Sequence, residues 1–402
     1  MQDMTPSLAG KRVVIIVENL PVPFDRRVWA EATTLRAAGM QVSIICPKGR
    51  GHESAYEELE GIHIYRHWLP AEGNGALGYA AEYSAALLME FWLTLRILFR
   101  GGFDAIHACN PPDTIFLIGF FYKLFGKKFL FDHHDVNPEL YEAKFGRRDV
   151  FYRLMCLLER LTFRTANVSI ATNGSYRRIA IERGGMAPEK VFIVRSGPNL
   201  DRVRAVPANP EHRKGRAHLV GYVGVMGRQE GIDLLLDAVK VLVEERGRRD
   251  VQFGLIGSGP ELPALQAMAK DLGVAEYVTF YGRAPDDVLF EVLSTSDVCV
   301  NPDRCNPMND LSTMNKIMEY MALGKPIVQF EMTEGRVSAG PSSLYAACND
   351  AGDFADKIIT LLDDPEACRS MGEIGRRRVV DELSWEHERP KLLAAYEALF
   401  AR

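Results

Sequence analysis

A lysine and a glutamate three residues apart, Lys316 and Glu319, follow a polar loop in the stretch NDLSTMNKIMEYMALGKPIV, Asn309–Val328. On a helix that spacing places both side chains on one face. Ser312 or Thr313 supplies the expected N-cap, and Gly324 and Pro326 end the helix after about Leu323. Free N–H groups and the positive dipole end at such a helix start attract an anion, and Lys316, one turn in, adds a full charge. Glu319 can accept hydrogen bonds from vicinal hydroxyls. Phosphate contact followed by a carboxylate that grips hydroxyls is what a nucleotide-sugar site requires. The same residues also read as a surface helix with an i,i+3 ion pair.

A second chemical cluster is FDHHD, Phe131–Asp135. Adjacent His133 and His134 at a strand end point to opposite sides, so they do not readily share a metal ion, and no further converging ligands are evident. His134 and Asp135 at the carboxyl end of a strand are better placed to meet a ligand. Arg26 and Arg27 in the first strand–helix connection, and Arg195 after a later strand, are candidate contacts for phosphate or an anionic acceptor. Asp25 beside the first two is read as an N-cap.

Positioning these residues requires alternating strands and helices. Short β-branched runs at Arg12–Val17, Val42–Cys46, Ile62–Tyr65, Ala105–Ala108, Phe129–Phe131, Val168–Ala171 and Val191–Val194 read as one series of strands. Leu219–Val223, Phe253–Ile256, Val278–Tyr281, Val298–Val300 and Ile327–Phe330 read as a second. Between them the polar, proline-containing segment 203–216 is the best linker. At 402 residues the chain has room for two α/β domains, each a doubly wound parallel sheet, with ligands expected beyond the carboxyl ends of the strands and in a cleft between the halves.

Composition narrows the classes. The chain is 47% hydrophobic and 25% charged, which excludes a disordered or collagenous protein, and its net charge of −5 argues against a dedicated nucleic-acid binder. Seven scattered cysteines without a CxxC pair make a disulfide framework unexpected and a reducing cytoplasm the expected compartment. The apolar run Val13–Val17 is too short for a signal peptide, and charges interrupt every stretch before the ~20 apolar residues of a membrane span. Aromatic-rich Tyr83–Phe99 and Ile115–Phe131, and eight arginines against three acids in Arg147–Arg183, suit attachment to an anionic membrane surface as well as packing on a sheet.

Taken in order, Glu18–Trp29 (ENLPVPFDRRVW), His107–Asp113 (HACNPPD), Phe131–Tyr141 (FDHHDVNPELY), Val194–Pro198 (VRSGP), Leu255–Pro260 (LIGSGP), Val278–Arg283 (VTFYGR) and the Asn309–Val328 stretch resemble retaining glycosyltransferases of family 4. The N-terminal motifs are similar to a branch found in surface-polysaccharide assembly. The resemblance implies the GT-B fold: an acceptor domain, 1–202, joined by a C-terminal helix, 385–402, that packs back on it, and a nucleotide-sugar domain, 203–384. It implies transfer of a sugar from a nucleotide diphosphate, UDP first among nucleotides, to a glycan or glycolipid acceptor, with retention, no metal and no other cofactor. Glu319 would hold the donor ribose and Lys316 the diphosphate. Asn315, Thr313, Ser312, Asp310, Asn309, Arg228, Gly282, Arg283 and Gly257 would complete the donor site, and His134 and Asp135 would lie near the reacting sugar. The sequence departs from the pattern in three places. Leu311 stands where the first glutamate of the family's pair belongs, and Val225 and Glu230 stand where its basic pair does. A nucleotide-sugar epimerase of the same fold and a donor-binding protein without catalysis are the alternatives.

Overall fold

The computed structural model describes residues 7–69 and 75–401, with backbone alone for 75–82. It divides into two compact units, Met1–Ser196 with Glu388–Arg402, and Gly197–His387.

In the first unit eight strands form one sheet in the order β3-β4-β2-β1-β5-β6-β7-β8. They are β1 (Arg12–Ile16), β2 (Gln41–Pro47), β3 (Tyr56–Leu59), β4 (Ile62–His67), β5 (Ala105–Cys109), β6 (Lys128–His133), β7 (Val168–Ala171) and β8 (Val191–Ile193). All neighbours are parallel except β3 and β4. The buried, β-branched runs of β1 and β5 are what a sheet covered on both faces demands. From β1 the chain winds one way through β2 and from β5 the other way. The carboxyl ends of β1 and β5 therefore flank the topological switch point, where an open sheet binds ligands. The helix Arg26–Ala37 follows β1 and is capped by Asp25, whose Oδ1 accepts from Val28 N at 3.0 Å, as expected from the sequence.

The second unit repeats the plan with six parallel strands in the order β11-β10-β9-β12-β13-β14. They are β9 (His218–Val223), β10 (Val251–Ile256), β11 (Val278–Gly282), β12 (Val298–Asn301), β13 (Ile327–Phe330) and β14 (Ser343–Ala346). Its switch point lies between β9 and β12. Helices bury one layer of side chains on each face, Ile232, Leu235, Leu236 and Val239 with Phe354 and Ile358 on one, and Ile317, Met318, Tyr320 and Met321 with Leu289 and Leu293 on the other.

Three expectations need correction. Segment 203–216 is no free linker: Val203 is buried in the second core, Asn209 N donates to Thr295 Oγ1, and Arg213 forks onto Asp297. Arg202, bonded to Asp286 and Glu319, also belongs to the second unit, and the first ends at Ser196 and not at 202. The helix Trp385–Phe400 joins the first unit only from Glu388 on, where Tyr396 Oη and His107 Nδ1 lie 2.8 Å apart; Arg402 is outside the described residues. Third, Cys305 and Cys348 form a disulfide with Cα atoms 5.5 Å apart. Adjacency of β12, β13 and β14 in the sheet brings together loops that lie 43 residues apart in sequence. The bond removes the cysteine pattern as an argument for a reducing compartment.

Candidate functional site

The switch point of the second unit is built from three interlocked loops. Gly257, after β10, has φ +142°, and a Cβ there would lie 1.7 Å from Gly224 O, so no side chain fits. Likewise a Cβ on Gly231 would meet Pro302 O at 2.1 Å. The loops after β9, β10 and β12 thus approach backbone to backbone, a closeness that the glycines of LIGSGP and GVMGRQEG make possible.

The helix bearing Lys316 and Glu319 starts behind these loops. It runs Asn315–Ala322, shorter than expected, and its N-cap is Met314, which gives no side-chain cap hydrogen bond. Ser312 instead closes the preceding helix Pro307–Leu311, its Oγ donating to Met308 O at 2.7 Å. Thr313 lies in the extended link between the two helices. An uncapped helix start leaves its orphan N–H groups for solvent or a ligand. Tyr320 fixes the helix beneath the sheet: its Oη accepts from Val223 N at 2.9 Å and donates to Val300 O at 3.3 Å, bridging β9 and β12.

Lys316 Nζ donates to Asp303 Oδ1 at 2.9 Å and lies 4.9 Å from the centre of the Tyr222 ring. Asp303 is buried; burial raises its pKa, and Lys316 opposes that rise. Glu230, pressed against Gly227, is the third member: burial pushes its carboxyl up, Lys316 pulls it down and Asp303 pushes it up again. One turn on, Glu319 accepts from Arg202 Nη1 at 3.3 Å, while the other edge of that guanidinium forks onto Asp286 at 2.7 and 2.9 Å. Asp303, Tyr222 and Arg202 were not singled out by sequence; only Asp303, in a loop after a strand at the switch point, carried a usable signal.

Several expected donor contacts serve the scaffold instead. Asn309 is buried and donates from Nδ2 to Gln229 O and Arg304 O, both at 2.9 Å. Asp310 accepts from Thr333 N and Thr333 Oγ1. These bonds hold the loop before the helix and leave neither side chain directed by a ligand requirement. Lys325, in the segment after the helix, donates to Ser294 O and Ser296 O at 2.6 and 2.7 Å and so caps the helix Asp286–Thr295. Arg228 is exposed and pairs with Glu261 at 3.2 Å; Val225, Arg283 and Asn315 are also exposed. Gly282 has φ +66° at the end of β11, and its carbonyl accepts from Gly257 N at 2.8 Å.

In the first unit the carboxyl ends of β1, β5 and β6 carry a buried charge network. Arg27 donates to Asp132 Oδ1 at 2.8 Å and Oδ2 at 3.1 Å, to Val194 O at 2.9 Å and to Ser196 Oγ at 3.2 Å. Its guanidinium is therefore committed to the fold, which corrects its reading as a phosphate or acceptor contact. Arg26 is exposed, and Arg195 donates its backbone N–H to Glu388 at 2.9 Å. Burial acts against ionising Asp132, but Arg27, then His134 and the hydrogen bonds from His107 and His134, hold its carboxyl well below the usual range. Burial and the Asp132 charge push Glu31, 3.2 Å from Arg27, well above it.

His134 Nε2 lies 2.6 Å from Asp132 Oδ2, and its ring is part exposed. His133 points away into Phe163 and Tyr176, and burial pushes its pKa down to about 3. Asn110 Oδ1 accepts from His134 N and Asp135 N at 2.7 and 3.1 Å, and Asn110 Nδ2 donates to Asp135 O at 2.7 Å, so HACNPPD cinches the His134-Asp135 turn. Asp135 itself is part exposed and has its pKa raised by burial. His107, Cys109 and Asp132 bring possible ligand atoms within 4.8 Å of one another. With Arg27 already on Asp132, and burial pushing the Cys109 thiol well up, the trio reads as part of the hydrogen-bonded network.

Residues 25–197 match the glycosyl transferase 4-like domain, and residues 217–364 match glycosyl transferases group 1. The 2-deoxystreptamine glucosyltransferase of Streptomyces kanamyceticus is 26% identical over 60% of either chain, so the match spans less than two thirds of that relative. Sucrose-phosphate synthase from Thermosynechococcus elongatus superposes with a TM-score of 0.79 at 21% identity, covering 97% of this chain and 99% of that one. The Anabaena protein HepE in complex with UDP-glucose gives 0.71 at 14% identity, covering 95% and 98%. These two likenesses speak to fold. The two Rossmann-like units thus share the GT-B fold of these structures, and two glycosyltransferase domain models match them in order.

Proposed function

We propose that the chain transfers a sugar from a nucleotide-diphosphate donor, UDP-linked in the first instance, to a saccharide or lipid-linked acceptor of surface-glycoconjugate synthesis. Configuration is retained and no metal takes part. The observation that carries this reading is the uncapped helix start at the β9/β12 switch point, with Lys316 in its first turn and Glu319 on the same face. The diphosphate leaves from the sugar carbon, so Lys316 and the helix N–H groups stabilise charge as it develops. Glu319 holds the ribose hydroxyls, oriented from behind by Arg202. That HepE was solved with UDP-glucose supports the choice of probe. In the first unit His134, steadied by Asp132, is the side chain assigned to contact with the sugar.

Thermal denaturation with a panel of nucleotide sugars tests the reading. The true donor at about a hundred times its Kd stabilises by about 2.7 kcal/mol. Glu319→Ala should weaken that donor roughly tenfold to a hundredfold, the loss of hydrogen bonds to a charged group. Equal binding by wild type and variant would remove Glu319 from the site. Donor binding without transfer to any acceptor or to water would favour the non-catalytic reading, which the acid at Glu230 keeps open.

The first unit is proposed to rest on an anionic membrane. Among the described residues no helix is long and apolar enough to cross one. Leu88, Trp92 and Phe99 lie at i, i+4 and i+11 on one face of Gly75–Arg100, with Phe99 84% exposed. Leu117, Phe120, Leu124 and Phe125 continue the exposed apolar surface on and just past Phe116–Lys123, a helix joined to the first by Phe91 against Phe121. Arg153, Arg160 and Arg164 make an exposed stripe on Val150–Thr165. Arg183, by contrast, is held by Glu139 and Glu159 and belongs to the interior of the unit. Sedimentation with anionic vesicles should fall about fivefold for each of Arg160→Gln and Arg164→Gln, at ~1 kcal/mol per residue, and neutral vesicles should bind weakly throughout. Equal binding to neutral vesicles would overturn the charge argument.

A further inference from the structure

We propose that the donor pocket takes up a proton when it fills, and that Glu230 is the group that receives it. The inference rests on the reading of Lys316 as the diphosphate contact. One lysine here influences two carboxylates: Lys316 bonds to Asp303 at 2.9 Å, and Glu230, on the loop after β9 whose next residue Gly231 abuts Pro302 beside Asp303, feels the charge of both. Tyr222, from β9, is the remaining titratable group of the cluster; burial, then the charges of Asp303 and Glu230, keep its hydroxyl protonated. The pocket that must receive a doubly anionic diphosphate is therefore net negative when both acids are ionised. Val225, on the same loop, adds no cation, and Arg228 is turned to Glu261.

The two acids differ in their alternatives. Burial raises the pKa of Asp303, but the ammonium group in direct contact with it opposes that rise. Glu230 is folded back against Gly227, with burial and Asp303 already favouring its protonated form. A diphosphate arriving at Lys316 adds like charge and raises the Glu230 pKa further, so a proton from solvent passes to its carboxylate and the added charge is partly cancelled. Affinity then tightens as pH falls through the bound-state pKa of Glu230 and levels off below its free-state value. Glu230 thereby sets the charge the pocket tolerates, a specificity-determining role distinct from contact with the sugar.

Calorimetric titration with UDP-glucose, whose diphosphate is a diester without a group titrating between pH 5 and 8, reads both affinity and proton uptake. The expected result is a Kd that tightens by up to about tenfold per pH unit below pH 8, with a buffer-dependent heat corresponding to proton uptake. Glu230→Gln is expected to bind at pH 8 as tightly as wild type does on its low-pH plateau, with a flat pH profile and no buffer dependence. A wild-type Kd independent of pH, or a slope that survives in Glu230→Gln, overturns the inference while leaving the donor site standing. If neither UDP-glucose nor any other nucleoside-diphosphate sugar binds either protein at any pH, the reading of the pocket fails, and the inference with it.

Discussion

Lys316→Met should reduce sugar transfer by two to three orders of magnitude, the loss of about 3–4 kcal/mol of stabilisation of the leaving diphosphate. Methionine keeps the unbranched stem that lies over Tyr222 and removes only the charge. The same substitution strips Asp303, buried at 1% exposure, of its cation. Breaking a buried pair from one side costs about 3–5 kcal/mol, less whatever Asp303 recovers by taking a proton, a step that its raised pKa already favours. A drop in melting temperature alone would therefore say nothing about catalysis. Lys316→Met combined with Asp303→Asn separates the effects: the double variant should regain most of the lost stability and none of the lost transfer, as measured by thermal melts and single-turnover assays. Near-wild-type turnover in that protein would remove Lys316 from the chemistry.

Much of this site is legible in the sequence because period and punctuation act locally. The run RVVIIV makes a covered strand, Asp25 caps the next helix, and the apolar spacing of Ile317, Met318, Tyr320 and Met321 turns Lys316 and Glu319 away from the core. The failures arise where distant segments compete for the same atoms. Ser312 looks like an N-cap, but a one-turn helix ends on it, and its hydroxyl goes to Met308 O. Asn309 and Asp310 look like sugar contacts, yet Gln229 O, Arg304 O and Thr333 claim them through the sheet's neighbour relations. β3 was missed because its hairpin turns on Glu60-Gly61, with φ +49° and +73°, and glutamate is an uncommon first residue for that turn. Arg27 shows the same limit at a charged side chain: an arginine in a first helical turn is ordinarily solvated, and only the pairing of β5 with β6 reveals the carboxylate beneath it.

That buried arginine gives the second large effect. Arg27→Met should destabilise the first unit by about 3–5 kcal/mol, because Asp132 loses its bidentate cation while Val194 O and Ser196 Oγ lose a donor. For a unit of this size the loss corresponds to a fall of roughly 10 °C in its melting temperature. The pH dependence identifies the cause. In the wild type the folded pKa of Asp132 lies below its unfolded value, so its contribution is present above the unfolded pKa and is lost only as pH falls through the folded one. Without Arg27 burial dominates and the folded pKa moves above the unfolded value; that variant then gains stability relative to wild type as pH falls from 8 toward 5 and Asp132 takes a proton. Denaturant unfolding followed across that range should show the gap narrowing. Arg27→Lys should fall between, keeping charge but not the fork that meets both carboxylate oxygens. His134 shares Asp132 with Arg27, so the variant leaves the imidazole, whose Nε2 lies 2.6 Å from that carboxylate, as its nearest partner. A gap that stays constant with pH would mean that the guanidinium's packing, and not its charge on Asp132, holds this end of the sheet together.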